Sequence, residues 1–384
     1  MQTAGIKYLA ELSETTLNDT LVVWRAATPD LGLLILLPED EKNSIAALQA
    51  ACARHRIPLA GAIFPELIEA GIFKRNGALL FGFDGMPYCE LLTDLPRDAQ
   101  QLAHATGKIT AGIRAAIADD QSEMTLLMLF DAMVPNIASI LDDLYLKLAN
   151  RVHYAGVNAG SETFQPMSCL FDSKRVVQNG VLLLLLKQHA GVAVEHDYVV
   201  PPELITATSA EGNRIIQINW RPAFEVYQEL VRKQFGADIT RDNFYQYSVH
   251  FPFGIVRANH QTLVRIPVLL DESGALFCVG EVPPNSILAL LQPPAAGATS
   301  VVGLLHDELR ELNGDIAGKE LLLFYCAGRR LHLGVEAATA EMADLAARSG
   351  ASQLVGALSL GEVGSSAVGG YPLFHNATLV GARW

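Results

Sequence analysis

The apolar positions of the chain follow one pattern three times over. Each round opens with an unbroken apolar run, at residues 33–37, 126–130 and 321–325. Runs of this length between polar turns predict buried strands. A stretch with helical spacing follows each one. Asn43 or Ser44 stands where a helix using Ile45, Leu48 and Cys52 needs a cap. Asn136 precedes a face of Ile137, Ile140, Leu141, Leu144 and Leu148, while Met342, Leu345 and Ala346 mark the third helix, which Gly350 stops. A short strand of small residues comes next, at 59–62, 154–157 and 354–357. After a loop, a last strand begins near Asn76-Gly77, Asn179-Gly180 and Asn376; Asn-Gly pairs suit turns that need positive φ.

The repeat therefore reads strand–helix–strand–loop–strand. It predicts an α/β fold with mixed sheets and crossover helices. The spacing between copies far exceeds the roughly 20–50 residues of solenoid repeats, so the unit reads as a subdomain embedded in larger domains. Leu102, Ile109, Ile113 and Ile117 mark a connecting helix within 96–118. The pattern breaks near 232–246, which divides the chain into an N-terminal domain, 1–235, holding two copies, and a C-terminal domain, 236–384, holding the third. Before the break, 222–231 reads as a helix with Pro222 in its first turn; after it, 252–288 reads as strands and turns. A Pro/Ala/Gly loop at 293–298 then leads into a helix through 304–312.

Composition narrows the class. At 384 residues, two or three domains are expected. Mean hydropathy is slightly positive, at +0.25. The longest aliphatic run, 181–186, nevertheless ends at Lys187, far short of the roughly 20 residues a bilayer span needs. The first five residues carry no basic segment leading into an apolar one, so no secretory leader is expected. A net charge of −13 without a basic block argues against a nucleic-acid surface. Five scattered cysteines read as reduced thiols of a cytosolic protein.

Several segments, in order, resemble the N- and C-terminal domains of the FIST family, over roughly residues 30 to 382. They are Gly-Val-Asn-Ala-Gly-Ser-Glu at 156–162, Ile-Thr-Ala-Thr-Ser-Ala-Glu-Gly-Asn-Arg at 205–214, and Ile-Asn-Trp-Arg-Pro-Ala at 218–223. Val264-Arg265-Ile266, Gly280-Glu281-Val282-Pro283, Phe-Tyr-Cys-Ala-Gly-Arg-Arg at 324–330, Leu360-Gly361-Glu362-Val363 and Phe374-His375-Asn376-Ala377-Thr378 follow. Two places depart from the family pattern: Asn219-Trp220-Arg221 replaces an Asp-Gly turn, and Phe64-Pro65-Glu66 replaces a Gly-Glu pair. The resemblance implies a bacterial-type sensory protein that binds a small molecule. In some family members the ligand is haem with nitric oxide as signal, and the partner is a histidine kinase or a cyclic-dinucleotide enzyme (diguanylate cyclase or phosphodiesterase).

Under that resemblance His196, at a strand end before Pro201-Pro202, is the candidate haem ligand, with Asp197 or Glu195 to orient it. The plainer alternative is a hydrogen-bonded strand-end histidine. His375 is a second candidate, with a structural role favoured, and Asn376 beside it is expected to close the Gly-rich loop through backbone hydrogen bonds. His250 and His260 have no ligand spacing, and no His-x-His, His-Glu-x-x-His or Cys-x-x-Cys pattern points to zinc. Arg329 and Arg330, past a strand end, suit a carboxylate or phosphate ligand, or pair internally with Glu336 or Glu362. Glu362 either contacts a ligand's amine or is buried against an arginine, and Arg265 is expected to be buried and paired. The glycines of 361–370 lack the Lys-Ser/Thr of a phosphate loop.

An enzyme reading stands beside these. Ser359, in Ala-Leu-Ser-Leu-Gly, approximates a hydrolase nucleophile elbow, but a Gly-rich loop rather than a helix follows it. Cys326, at a strand end with Arg329 near, offers a thiolate nucleophile or redox sensor. A non-catalytic sensor, with its pocket at the C-terminal ends of the repeated strands or between the domains, is preferred. A hydrolase or transferase and a ligand-free scaffold are the rivals.

Overall fold

The computed structural model describes residues 3–96, 98–118, 120, 122–258, 261–293, 300–365 and 370–384. The α/β expectation holds, and the three copies are three units of one frame. The first unit runs Leu31–Pro38, helix Ile45–Arg54, Leu59–Phe64 and Ala78–Asp84. The second runs Met124–Asp131, helix Ile137–Leu148, His153–Ala159 and Val181–Lys187. The third runs Glu320–Cys326, helix Val335–Ser349, Gln353–Ser359 and Leu379–Arg383. In each unit the first two strands are parallel, as a helical crossover requires, and the last returns antiparallel on the other side of the first.

The stretch read as a loop is in each unit a hairpin, and it pairs with a different unit. The first unit's Leu67–Glu69 and Ile72–Lys74 extend the third unit's sheet, with Ile68 opposite Gly356. The second unit's Leu170–Asp172 and Val176–Val177 extend the first, with Leu170 opposite Ala62. The third unit's Glu362–Gly364 and Leu373–His375 extend the second, with Glu362 opposite Val157. Edge strands Thr3–Leu9, Cys89–Leu92 and Ala193–Glu195 complete three six-stranded sheets. The body is thus a cyclic, pseudo-threefold exchange.

This arrangement explains why the strands lack polar alternation. In the second unit Leu127 and Leu129 join Leu34, Leu36, Leu322 and Phe324 in a core shared by all three sheets, whereas Leu126, Met128 and Phe130 pack outward against helix Ile137–Leu148. A strand buried on both faces reads as a continuous apolar run. Small residues on the second strands have a packing cause too. A Cβ on Gly61 would lie 2.3 Å from both the Ile35 carbonyl and the Phe171 ring of the donated hairpin, and one on Gly356 would lie 1.7 Å from the Leu323 carbonyl.

Between the second and third units lies an insert of two antiparallel sheets. One orders Ile205–Thr206, Ile287–Leu290, Phe253–Val256 and Thr262–Arg265; the other orders Ser209–Glu211, Arg214–Ile218, Leu276–Cys278 and Pro267–Leu270. Helix Ala223–Phe235, ended by Gly236 at positive φ, packs on them with a core of its own through Phe224, Tyr227 and Val231. The connecting helix is Ala99–Ile117, capped by Asp98.

Two expected caps fail. Ser44 ends a short 3-10 turn, Glu39–Ser44, and donates to Glu41, while the Asn136 amide donates to the Pro96 carbonyl. Helix Ser300–Asn313 contains the expected 304–312, but the loop before it lies outside the described residues from position 294 on. Among the described residues no helix is long and apolar enough to cross a membrane.

Candidate functional site

Where the third unit's first strand ends, the chain turns into the helix Ala327–Leu333, which faces the insert across a cavity of about 410 Å³. Its floor is Cys326, Ala327, Gly328, Leu360 and Asn376; Glu162 and Phe164 of the second unit form one wall. The insert supplies the other wall through Ser248, Val249, His250, Ile266 and Val268. Gly328 permits the close approach, since a Cβ there would lie 2.4 Å from Ile266 Cδ1. A second cavity, about 600 Å³, shares Phe164, Tyr245, Val268 and Val279 and runs to Met133 and Asn158 at the second unit's strand ends. Both volumes fall within the range of small-molecule sites, roughly 300–1,000 Å³.

The paired arginines do not reach into this space as free cations. Arg329 is wholly buried, with Nε and Nη2 donating to Glu341 at 2.9 and 2.6 Å and Nη1 to Asp197 at 2.9 Å. Burial favours its neutral form, but Glu341 and then Asp197 outweigh that and hold its pKa above the ordinary value. Tyr325 Oη donates to the same Glu341 at 2.6 Å. Arg330 joins all three units: Nη1 lies 3.0 Å from Glu66, Nη2 lies 2.9 Å from both Glu162 oxygens, and its guanidinium stacks 4.8 Å from the Phe73 ring centre. The internal partners are therefore Glu341, Asp197, Glu66 and Glu162, not Glu336 or Glu362.

Glu362 is buried without an arginine partner among the described residues. It accepts hydrogen bonds from Ser359 and from Thr378 at 2.6 Å, and burial raises its pKa to about 7. Arg265 is buried as expected, but three backbone carbonyls hold it instead of a carboxylate: Glu281 at 2.9 Å, Val264 at 2.9 Å and Phe374 at 3.0 Å. Burial lowers its pKa to about 10.

Both ring nitrogens of His196 are engaged. Nδ1 accepts from the Tyr198 N–H at 3.3 Å, which leaves Nε2 to donate to the Thr262 carbonyl at 3.0 Å. Asp197 turns to Arg329, so neither expected carboxylate orients the ring. A haem held through His196 does not fit these contacts, because the ring offers iron no nitrogen. His375 Nε2 donates to the Gly364 carbonyl at 3.2 Å; Nδ1 has no partner, yet the ring lines neither of the two cavities. Burial lowers the His375 pKa to about 3 and keeps the ring neutral. Asn376 donates from Nδ2 to the His375 carbonyl at 2.8 Å. His250 sits on the cavity wall with Nδ1 2.9 Å from His332 Nδ1, and His260 lies outside the described residues. Among the described residues, no group of three or more His, Cys, Asp or Glu is placed to hold a metal ion.

The nucleophile readings meet poor geometry. Ser359 is fully buried and spends its proton on Glu362, while His375, across the hairpin from Glu362, bonds elsewhere. The Cys326 thiol accepts from the Ala377 N–H at 3.0 Å; burial, and then Glu362, push its pKa well up, and the backbone hydrogen bonds from Ala377, Arg329 and Gly328 that favour a thiolate do not outweigh them. All five cysteines are free, as expected.

Sequence reading missed Glu341, Ser248, Val249 and Val268; Asn158, Glu162 and Ile266 entered only within family segments, and His250 was left without a role. One signal was available: Glu341 interrupts the buried stripe Ala338, Met342, Leu345 of its helix, and a carboxylate there needs a buried cation. The departures at Asn219-Trp220-Arg221 form an exposed hairpin turn, with Asn219 and Trp220 at positive φ, and none of the three lines the cavities. Phe64 is core and Glu66 serves Arg330.

The architecture is that of an α/β protein whose threefold body and antiparallel insert meet across an apolar cavity. Residues 30–221 match the family model for the FIST N domain and residues 223–365 that for the FIST C domain. The chain belongs to the FIST family. FIST domains are associated with sensory signal transduction. A search of curated proteins finds no match.

Proposed function

We propose that this chain is a sensor that admits a small, largely apolar molecule to the cavity between body and insert and reports its occupancy to a partner protein. The supporting observation is the cavity itself: about 410 Å³, mainly apolar, and walled by the body on one side and the insert on the other. A ligand that touches both walls favours the arrangement in which both can touch it, and this differential contact is all that a population shift requires. The insert's outer surface then carries the signal to a histidine kinase or a cyclic-dinucleotide enzyme, the partner classes the family resemblance implies.

The neutral dye N-phenyl-1-naphthylamine tests the reading. It is expected to bind the purified chain saturably with enhanced fluorescence. Val268→Trp, which places an indole in the space shared by both cavities, is expected to abolish that binding while leaving the far-UV circular dichroism unchanged. Unaltered dye binding by the folded variant would place the ligand elsewhere.

A further inference from the structure

The two cavities at the seam adjoin. Phe164, Tyr245, Val268 and Val279 line both, and Tyr245 is a surface residue, so they share a lip that is open to solvent. From that lip the space extends one way to Leu331 and Leu360 of the third unit, and the other way to Met133 and Ile137 of the second. The exposed side chains along it are apolar. Tyr245 is 67% exposed, Leu331 60%, Leu269 56% and Met133 40%. Large apolar side chains scattered singly over a surface are ordinary, but four on the walls of adjoining cavities form a patch that gains from being covered.

Charge gives a ligand little to hold there. Among the described residues no Asp, Glu, Lys, Arg or His lines the larger cavity. In the smaller one Glu162 is paired with Arg330, and His250 with His332. Affinity then comes from apolar area removed from water, which grows with every methylene group a ligand carries. Volume sets the length. A methylene takes about the space of one water in the liquid, roughly 30 Å³. A chain of about a dozen carbons therefore fills the 410 Å³ cavity, and a longer one passes into its neighbour. A rigid ring system fills one cavity; an unbranched chain, turning at every bond, can follow the common lip from one into the other.

We propose that the ligand is an amphiphile with one unbranched alkyl chain longer than dodecyl, and that the chain lies across both cavities along the Tyr245 lip. The proposal rests on the sensor reading of the same cavity and adds the class of ligand. A chain seated this way touches the second unit, the third unit and the insert at once, so chain length is what the seam responds to.

The test displaces bound N-phenyl-1-naphthylamine from the full chain with 1-octanol, 1-dodecanol and 1-hexadecanol, each below its solubility limit. Competition is expected to strengthen roughly two- to fourfold per added methylene, the upper figure being full burial, and to go on strengthening beyond 1-dodecanol. Leu331→Glu charges the wall of the smaller cavity alone, and Leu269→Glu that of the larger alone. Both side chains are more than half exposed, so both variants are expected to keep the far-UV circular dichroism of the unmodified chain. Each is expected to weaken 1-hexadecanol about tenfold or more, while 1-octanol, short enough for whichever cavity is left, changes less than about threefold. A folded variant that leaves 1-hexadecanol unaffected would put the chain in the other cavity alone and overturn the proposal. Equal competition by the three alcohols on the unmodified chain would overturn it whether or not either variant folds, and would leave the cavity reading standing. Failure of the dye itself to bind would overturn the cavity reading and this inference with it.

Discussion

The third unit has two seams, built from opposite materials. Where it meets the first and second units, Arg330 is clamped by Glu66 and Glu162 and stacked on Phe73. Where it meets the insert, Gly328 packs closely against Ile266, while Ala327 and Leu331 line open apolar space with Val268. The first seam is saturated with directional contacts and has nothing left to offer a ligand. The second has shape and little charge. Adjacent arginines at a strand end look from sequence like an anion site; here they lock the frame, and the capacity to bind lies beside them.

Emptying the buried cation beside the saturated seam should cost most. Arg329→Met leaves Glu341 and Asp197 buried without their cation, with an expected loss of about 3–5 kcal/mol in urea unfolding. A loss under about 1 kcal/mol would mean the pair is dispensable.

Glu362 comes next, because it is buried among hydroxyl donors with no cation beside it among the described residues. Its raised pKa means the folded state binds its proton more tightly than the unfolded chain. The group's stabilising contribution is therefore present below about pH 4.5 and lost as pH rises through about 7. Glu362→Gln, uncharged throughout, should gain on the order of 2–3 kcal/mol over the unmodified chain at pH 8 and nothing at pH 4.5. Unfolding curves of the pair that run parallel across pH would contradict this.

Arg330→Met should cost less than Arg329→Met, about 1–2 kcal/mol, because Glu162 reaches solvent and can rehydrate. Smallest of all, Val268→Trp should change stability by under about 1 kcal/mol, since it fills space instead of emptying it. A larger loss would show that the second seam is packed more tightly than its cavity implies.

How much of this was legible follows the same division. The three apolar runs and their helices were readable because a strand buried on both faces writes its burial locally, as Leu126 to Phe130 do. That the intervening loops are hairpins traded between units was not, because Ile68 finds Gly356, and Leu170 finds Ala62, only in three dimensions. The candidate site fared similarly. His196, His375, Arg329, Arg330, Glu362 and Asn376 do lie around the body's strand ends, but their partners come from every part of the chain. Asp197 and Glu341 reach Arg329 from opposite sides in sequence, and Glu66 reaches Arg330 from the first unit. Residue type announces that a buried charge needs a partner; it does not say which.

The most direct test of the account is hydrogen–deuterium exchange of the full chain with and without saturating N-phenyl-1-naphthylamine. Slower exchange is expected on both sides of the second seam, in 244–250 and 263–268 of the insert and in 326–333 of the third unit, with the core strands unchanged. Protection confined to one side, or none in these segments despite bound dye, would contradict a sensor that reads its ligand across the seam between body and insert.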